Sequence, residues 1–334
     1  MCSSAIKFFT DAIKPIISKK ERDDIENKLN NNLKIQQVIL DSMSQLGKIY
    51  LMPGFSSEAA AIFQYCDKFS EKYPVTTNEN FLLQAYQAEV NFLKNLGKET
   101  EINLVKEQTE KYKTTLLELR SSVITELKNI NDISDISTRA LKVEKLYEKC
   151  NQFFVQSINE PDLEDQKDSG FLQDLLNDCM NSLGNPPCEY TIIGLGSLSG
   201  GTMTPYSDLE FAILIKENNE EYKKYFTDLT NLLKIKVTNL GETPIHLADI
   251  EGLNNQKTAK PEDDWFWDHD IVDGGYNWDA PCPQGCKTPL GRKGYIGHKD
   301  YELICTPEDM LKYQNGNEWL KSDPFLVHTL RHLV

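Results

Sequence analysis

Gly194-Leu195-Gly196-Ser197 and, a short polar turn later, Thr204-Pro205-Tyr206-Ser207-Asp208-Leu209-Glu210-Phe211 stand between two apolar runs. Upstream, Tyr190-Thr191-Ile192-Ile193 is β-branched and short, which predicts a strand. Downstream, Phe211-Ala212-Ile213-Leu214-Ile215 is apolar throughout, which predicts a strand buried on both faces. Gly200-Gly201 and Thr204-Pro205 are turn formers. Asp208 and Glu210 are two residues apart, and strand side chains alternate, so both carboxylates are expected on one face. Two like charges held together are costly unless a cation lies between them. Hard oxygen donors suit Mg²⁺ or Mn²⁺. The Gly196-Ser197 turn can offer backbone N–H groups and a hydroxyl to phosphate oxygens. Acids for a metal opposite a glycine turn for phosphate suggest metal-assisted nucleotidyl transfer.

These residues carry a resemblance. An apolar-Gly-Ser turn, ten residues, then Asp-x-Glu on an apolar strand resembles the polymerase-β-like nucleotidyltransferase superfamily. The run GSLSGGTMTPYSDLEFAIL is similar, more narrowly, to nucleotidyltransferases related to the N-terminal domain of protein-PII uridylyltransferase. Asp264-Trp265-Phe266-Trp267-Asp268 and Lys287-Thr288-Pro289-Leu290-Gly291-Arg292 look like later motifs of that family. The resemblance implies a third carboxylate on a neighbouring strand, for which Asp273 and Asp279 are the candidates. Tyr276-Asn277-Trp278-Asp279 alternates aromatic and polar residues as a strand would, whereas Asp273 precedes the double glycine Gly274-Gly275. The family match selects Asp279. Members of the family often carry a basic residue and an acid in the loop before the Asp-x-Glu pair; here Gly200 and Thr202 stand there. That departure would weaken nucleotide affinity, change nucleotide preference or mark a degenerate enzyme.

The expected site is therefore Asp208, Glu210 and Asp279 as metal-holding catalytic acids. Gly196 and Ser197 would hold the β- and γ-phosphates. Lys287 and Arg292, in a basic loop of an acidic region, would meet triphosphate or pyrophosphate; the bland alternative is a solvated hairpin loop. The expected activity moves an NMP from an NTP to a hydroxyl of a protein or small-molecule acceptor, with Mg²⁺ or Mn²⁺ as cofactor. The rival is a degenerate fold serving as a protein-interaction scaffold.

Charge narrows the acceptor. The chain carries a net charge of −15 over 334 residues. Residues 1–165 hold 21 basic and 25 acidic side chains (−4), and residues 166–334 hold 15 and 26 (−11). Nucleic-acid affinity is dominated by phosphate neutralisation, so the second half is a poor match for RNA or DNA. No apolar run approaches the ~18 residues of a membrane span. The start lacks a long apolar leader, and eight irregularly spaced cysteines fit free thiols, so a cytoplasmic setting is expected, in the producing cell or in a host. Cys282 and Cys286, with His269 and His298 nearby, make only a weak zinc pattern. His328 and His332 lie four apart on an expected final helix without an acid beside them, and the chain stops mid-helix at Leu333-Val334, which suggests a longer parent protein.

The fold class expected is α+β, with mixed helix-strand alternation: helical hairpins over 1–165, then a nucleotidyltransferase domain with a small mixed sheet over 166–334. Residues 4–45 show helical spacing. Leu46-Gly47-x-x-Tyr50, Gly54 and Ala59-x-x-x-Phe63 resemble one tetratricopeptide unit, with Met43 at a position often taken by Trp. An ordinary helical hairpin is the alternative, and 79–96 reads as a degenerate neighbour. Such a platform would bind a protein partner. Long amphipathic helices are expected over 102–130 and 138–158, a linker over 159–165, and helices over 171–183 and 220–233. Residues 234–240 read as a further strand, and 301–305 as the last one.

Overall fold

The computed structural model describes residues 32–155, 170–243, 275–278 and 303–315. In chain order the elements are α1 (Leu33–Tyr50), α2 (Ser56–Lys72), α3 (Phe81–Asn95), α4 (Ile102–Asn131) and α5 (Ile136–Phe154). There follow α6 (Phe171–Leu183), β1 (Tyr190–Gly194), the one-turn α7 (Gly196–Ser199), β2 (Asp208–Leu209) and β3 (Phe211–Ile215). The last are α8 (Glu220–Asn239), β4 (Asn277–Trp278), β5 (Ile304–Cys305) and α9 (Pro307–Asn315). The architecture is α+β, dominated by helices around a small mixed sheet of three strands.

Two compact units emerge, each drawn from two chain segments: Met1–Thr109 with Lys234–Cys286, and Glu110–Leu233 with Lys287–Val334. The boundary expected at 165/166 falls among residues outside those described. Residues 110–155 group with the sheet in the second unit. Aromatic packing supplies the reason. Phe171 of α6 meets Tyr112 edge-on at 5.5 Å, stacks on Phe153 at 5.3 Å and meets Phe154 at 5.8 Å. The Tyr112 hydroxyl donates to Asp178 Oδ2 at 2.5 Å, and burial, then that carboxylate, push the phenol's pKa far up.

In the first unit α1 and α2 form a hairpin. Asn32 caps α1 by accepting from Lys34 and Ile35 backbone N–H groups at 3.1 and 3.3 Å. Met43, Leu46, Tyr50, Ala59 and Phe63, the residues of the tetratricopeptide-like pattern, all lie in one buried cluster. Gly47 is where the helices cross, since a Cβ there would sit 2.8 Å from the Phe63 ring. The stretch 79–96 supplies a single helix, α3, capped by Asn80.

Glu79 ties the segment before α3 to α1. It accepts from Ser44 Oγ and Gln84 Nε2, each at 2.9 Å, and pairs with Lys48 Nζ at 2.7 Å. Burial pushes its carboxyl up, but the bonds from Gln84, Lys48 and Ser44 outweigh that and hold it below the ordinary range. A depressed folded pKa gives stability that is present above the unfolded value and lost as pH falls through the folded one. Glu79→Gln should therefore lower the urea midpoint at pH 7, and its deficit should vanish below about pH 4. A deficit that persists at pH 3 would assign the loss to packing instead.

Residues 234–240 are not the strand their sequence suggests. They continue α8 to Asn239. Lys234-Ile235-Lys236-Val237-Thr238 alternates polar and apolar residues as a strand would, yet every residue from Ile235 to Leu240 is buried, so here the polar positions do not mark a solvent face. Tertiary contacts decide: Ile235 joins the hairpin core, and Lys236 pairs with the buried Glu89 at 2.8 Å.

The second unit carries the sheet, ordered β1-β3-β5. β1 runs antiparallel to β3, with Tyr190 opposite Ile215 and Gly194 opposite Phe211. β3 runs parallel to β5, with Ile213 opposite Ile304. This central position explains why β3 is apolar along its whole length. Helix α6 ends at Gly184, whose φ of +97° is open to glycine, just before Pro186-Pro187. Among the described residues no helix is long and apolar enough to cross a membrane.

Candidate functional site

The site grows from the end of β1. Beyond Gly194 the ladder continues for one more bond, as Leu195 N–H donates to the Glu210 carbonyl at 2.9 Å. Gly196 then takes φ +52°, a left-handed conformation that turns the chain out of the sheet plane. The turn is closed by Gly200 N–H on the Gly196 carbonyl and Thr202 N–H on the Ser197 carbonyl, both at 3.0 Å. Gly201 is left-handed too, at φ +63°. Met203 is fully buried under the turn, and its sulfur accepts a long contact of 3.8 Å from Ser197 Oγ.

The Glu210 side chain packs directly on Gly196. A Cβ at position 196 would lie 1.7 Å from Glu210 Oε2, so the carboxylate occupies the space a side chain would fill. Glu210 is only 4% exposed, whereas Asp208 is half-buried. The pair does not lie on one unbroken strand: β2 covers Asp208–Leu209, β3 begins at Phe211, and Glu210 is the junction. The two acids thus sit in different surroundings, the second held against the backbone of the turn.

Asp208 is delivered by a self-closed turn. Ser207 N–H donates to the Thr204 carbonyl at 3.1 Å, Thr204 N–H to Ser207 Oγ at 3.0 Å, and Tyr206 N–H to Thr204 Oγ1 at 3.2 Å. Arg120 of α4 donates from Nη2 to the Pro205 carbonyl at 3.1 Å, and its guanidinium lies 5.1 Å from the Tyr206 ring centre. On the other side of the turn, Gly200, Gly201 and Thr202 line an open cleft of about 690 Å³ with Val143 and Tyr147 of α5. Arg139 also lines it, while donating through Nε to the Ile133 carbonyl at 3.1 Å in the connection between α4 and α5.

Of the residues expected from sequence, the structure brings Gly196 and Glu210 into contact, places Ser197 in the one-turn α7 and sets Asp208 at the start of β2, just after the Thr204–Ser207 turn. Asp279 and its rival Asp273, with Lys287 and Arg292, lie outside the described residues. So do Cys282, Cys286, His269 and His298 of the weak zinc pattern, His328 and His332, and the linker 159–165. β4 ends one residue before Asp279. Among the described residues, no three His, Cys, Asp or Glu side chains are grouped to hold a metal ion. Asp208 and Glu210 nevertheless offer hard oxygen donors of the type Mg²⁺ and Mn²⁺ take, and the Gly196 cradle fixes one of them.

Sequence reasoning missed Arg120 and Met203. Met203 looked like part of a polar turn, and the 85 positions between Arg120 and Pro205 leave no local trace of their contact. No protein-family model, curated protein or solved structure matches the chain.

Proposed function

We propose that the chain is a metal-dependent nucleotidyltransferase that moves an NMP from an NTP to a hydroxyl of a protein or small-molecule acceptor. The observation that carries this reading is the Glu210 carboxylate lodged against the left-handed Gly196. There an acid at the entry to β3 meets a bare glycine turn, so a cation held by the carboxylate would lie beside phosphate oxygens received by the turn.

Asp208, Glu210 and, on the resemblance, Asp279 would hold Mg²⁺ or Mn²⁺. Bound there, the ion supplies positive charge that offsets the triphosphate and the developing charge on the leaving group. Gly196 and Ser197 would receive the β- and γ-phosphates through backbone N–H groups and the Ser197 hydroxyl. The acceptor hydroxyl oxygen forms a bond to the α-phosphorus as the bond to the bridging oxygen breaks. Pyrophosphate leaves with that electron pair, and the hydroxyl proton passes to Asp279. Lys287 and Arg292 would meet the departing phosphates. With residues 166–334 at a net −11, a protein or small-molecule acceptor suits the electrostatics better than a nucleic-acid strand.

The test is label transfer. The purified chain, Mg²⁺ or Mn²⁺, each α-labelled NTP and a cell lysate should give an acid-stable labelled product. Asp208→Asn keeps size but removes a negative charge from the metal site, so transfer should fall at least about a hundredfold. Circular dichroism should show the fold retained. Undiminished labelling by Asp208→Asn would sink the assignment. Wild type that labels no acceptor with any NTP would favour the scaffold reading, to which Gly200 and Thr202 already lend support.

A further inference from the structure

We propose that Arg120 is a positioning residue for Asp208, reaching from α4 to fix the turn that delivers this acid; the role rests on the nucleotidyltransferase reading above. The turn Thr204–Ser207 sets its own shape through four contacts among Thr204, Tyr206 and Ser207, including the 3.1 Å pairing of the two hydroxyls. Those bonds are internal to the turn and leave its orientation to be set from outside. Pro205, at its corner, has no N–H to pair, so its carbonyl is the backbone handle available there.

Arg120 takes that handle and one more. Nη2 donates to the Pro205 carbonyl at 3.1 Å, while the same guanidinium plane lies 5.1 Å from the centre of the Tyr206 ring. Tyr206 is 50% exposed, with the guanidinium over its ring. Two successive residues are thereby held from one side chain, and Asp208 follows only two positions later. A planar fork can donate along its edge and stack through its face at once; an ammonium is a point charge and can do one or the other. α4 itself is a firm base, because Leu116, Leu119 and Val123 around Arg120 are buried. The clamp makes α4 part of the site, although the sequence between them gives no hint of it.

Outer partners of metal-holding carboxylates typically change metal affinity 10- to 100-fold when removed. Arg120→Met keeps the length and loses both contacts. Arg120→Lys should restore part of the effect, and Tyr206→Phe should match wild type because the ring face remains. Three readouts on the full chain separate the possibilities. Hydrogen exchange of the amides over 203–210 should rise in Arg120→Met, and the rest of α4 should stay protected. Mn²⁺ affinity, titrated without nucleotide, should fall about tenfold. Turnover should fall about a hundredfold with KM for the NTP little changed, as expected when a reacting constellation is misplaced by about 1 Å.

Unchanged exchange over 203–210 would overturn the clamp whatever the chemistry proves to be. Faster exchange with Mn²⁺ affinity unaltered would reduce Arg120 to a brace. If Asp208→Asn abolishes Mn²⁺ binding and Arg120→Met does not affect it, the positioning role fails and the nucleotidyltransferase reading stands. If wild type binds no Mn²⁺, or binds it equally well after Asp208→Asn, both fail together.

Discussion

Gly196→Ala should lower stability by about 2–4 kcal/mol and abolish transfer. Two separate costs meet at this residue. At φ +52° an L side chain pays a steric toll of roughly 1–2 kcal/mol. The new methyl would also stand 1.7 Å from Glu210 Oε2, far inside contact distance, so either the carboxylate or the turn must move. Gly201 provides the internal control. It shares the left-handed conformation, at φ +63°, yet has nothing within 4 Å of its notional Cβ. Gly201→Ala should thus show the backbone cost alone. Urea unfolding of the two variants separates the terms, and equal losses would mean that Glu210 does not pack on Gly196. Adding Glu210→Ala to Gly196→Ala should recover the clash but not the backbone cost, and no activity should return with it.

That contrast shows what a linear sequence can carry. Helix α6 was legible from end to end, because its stop is local: Gly184 can take φ +97°, and Pro186-Pro187 cannot continue a helix. β1 and β3 were legible because β-branched and apolar runs beside a glycine turn have few other uses. The crossing at Gly47 followed from a small residue placed against Phe63. What failed to show was everything decided by distant partners. The end of α8 looked like a strand, since Lys234-Ile235-Lys236-Val237-Thr238 alternates polar and apolar residues, and the buried partner of Lys236 is distant in sequence. Asp208 and Glu210 looked equivalent, since alternation says nothing of the break at Glu210 or of the glycine that receives its carboxylate. The packing of Tyr112, Phe153 and Phe154 on Phe171 likewise leaves no local trace in the sequence.

The buried end of α8 carries the other large effect. Lys236 and Glu89 form an ion pair of 2.8 Å with side chains 6% and 1% exposed. Asn239 Nδ2 donates to the second Glu89 oxygen at 3.2 Å, and Lys236 Nζ also donates to Gln108 Oε1 at 3.3 Å. Gln64 Nε2 completes the set on the Asn239 carbonyl at 3.1 Å. Such a pair adds little over a well-packed apolar core, because desolvating both charges consumes most of the attraction. Breaking it is a different matter. Lys236→Met leaves the Glu89 carboxylate buried without its cation, with Asn239 still donating to it, and should cost about 3–5 kcal/mol. Lys236→Met with Glu89→Gln removes both charges and keeps an acceptor for Asn239, so it should return to within about 1–2 kcal/mol of wild type. The coupling between the two sites, read from urea midpoints at constant slope, should therefore be large and favourable to the double variant. A single variant that loses less than about 1 kcal/mol would place the pair in solvent, where exposed ion pairs contribute that little. Because Asp208→Asn acts in the other unit, combining it with Lys236→Met should give additive effects on stability. The metal affinity of the combination should match that of Asp208→Asn alone.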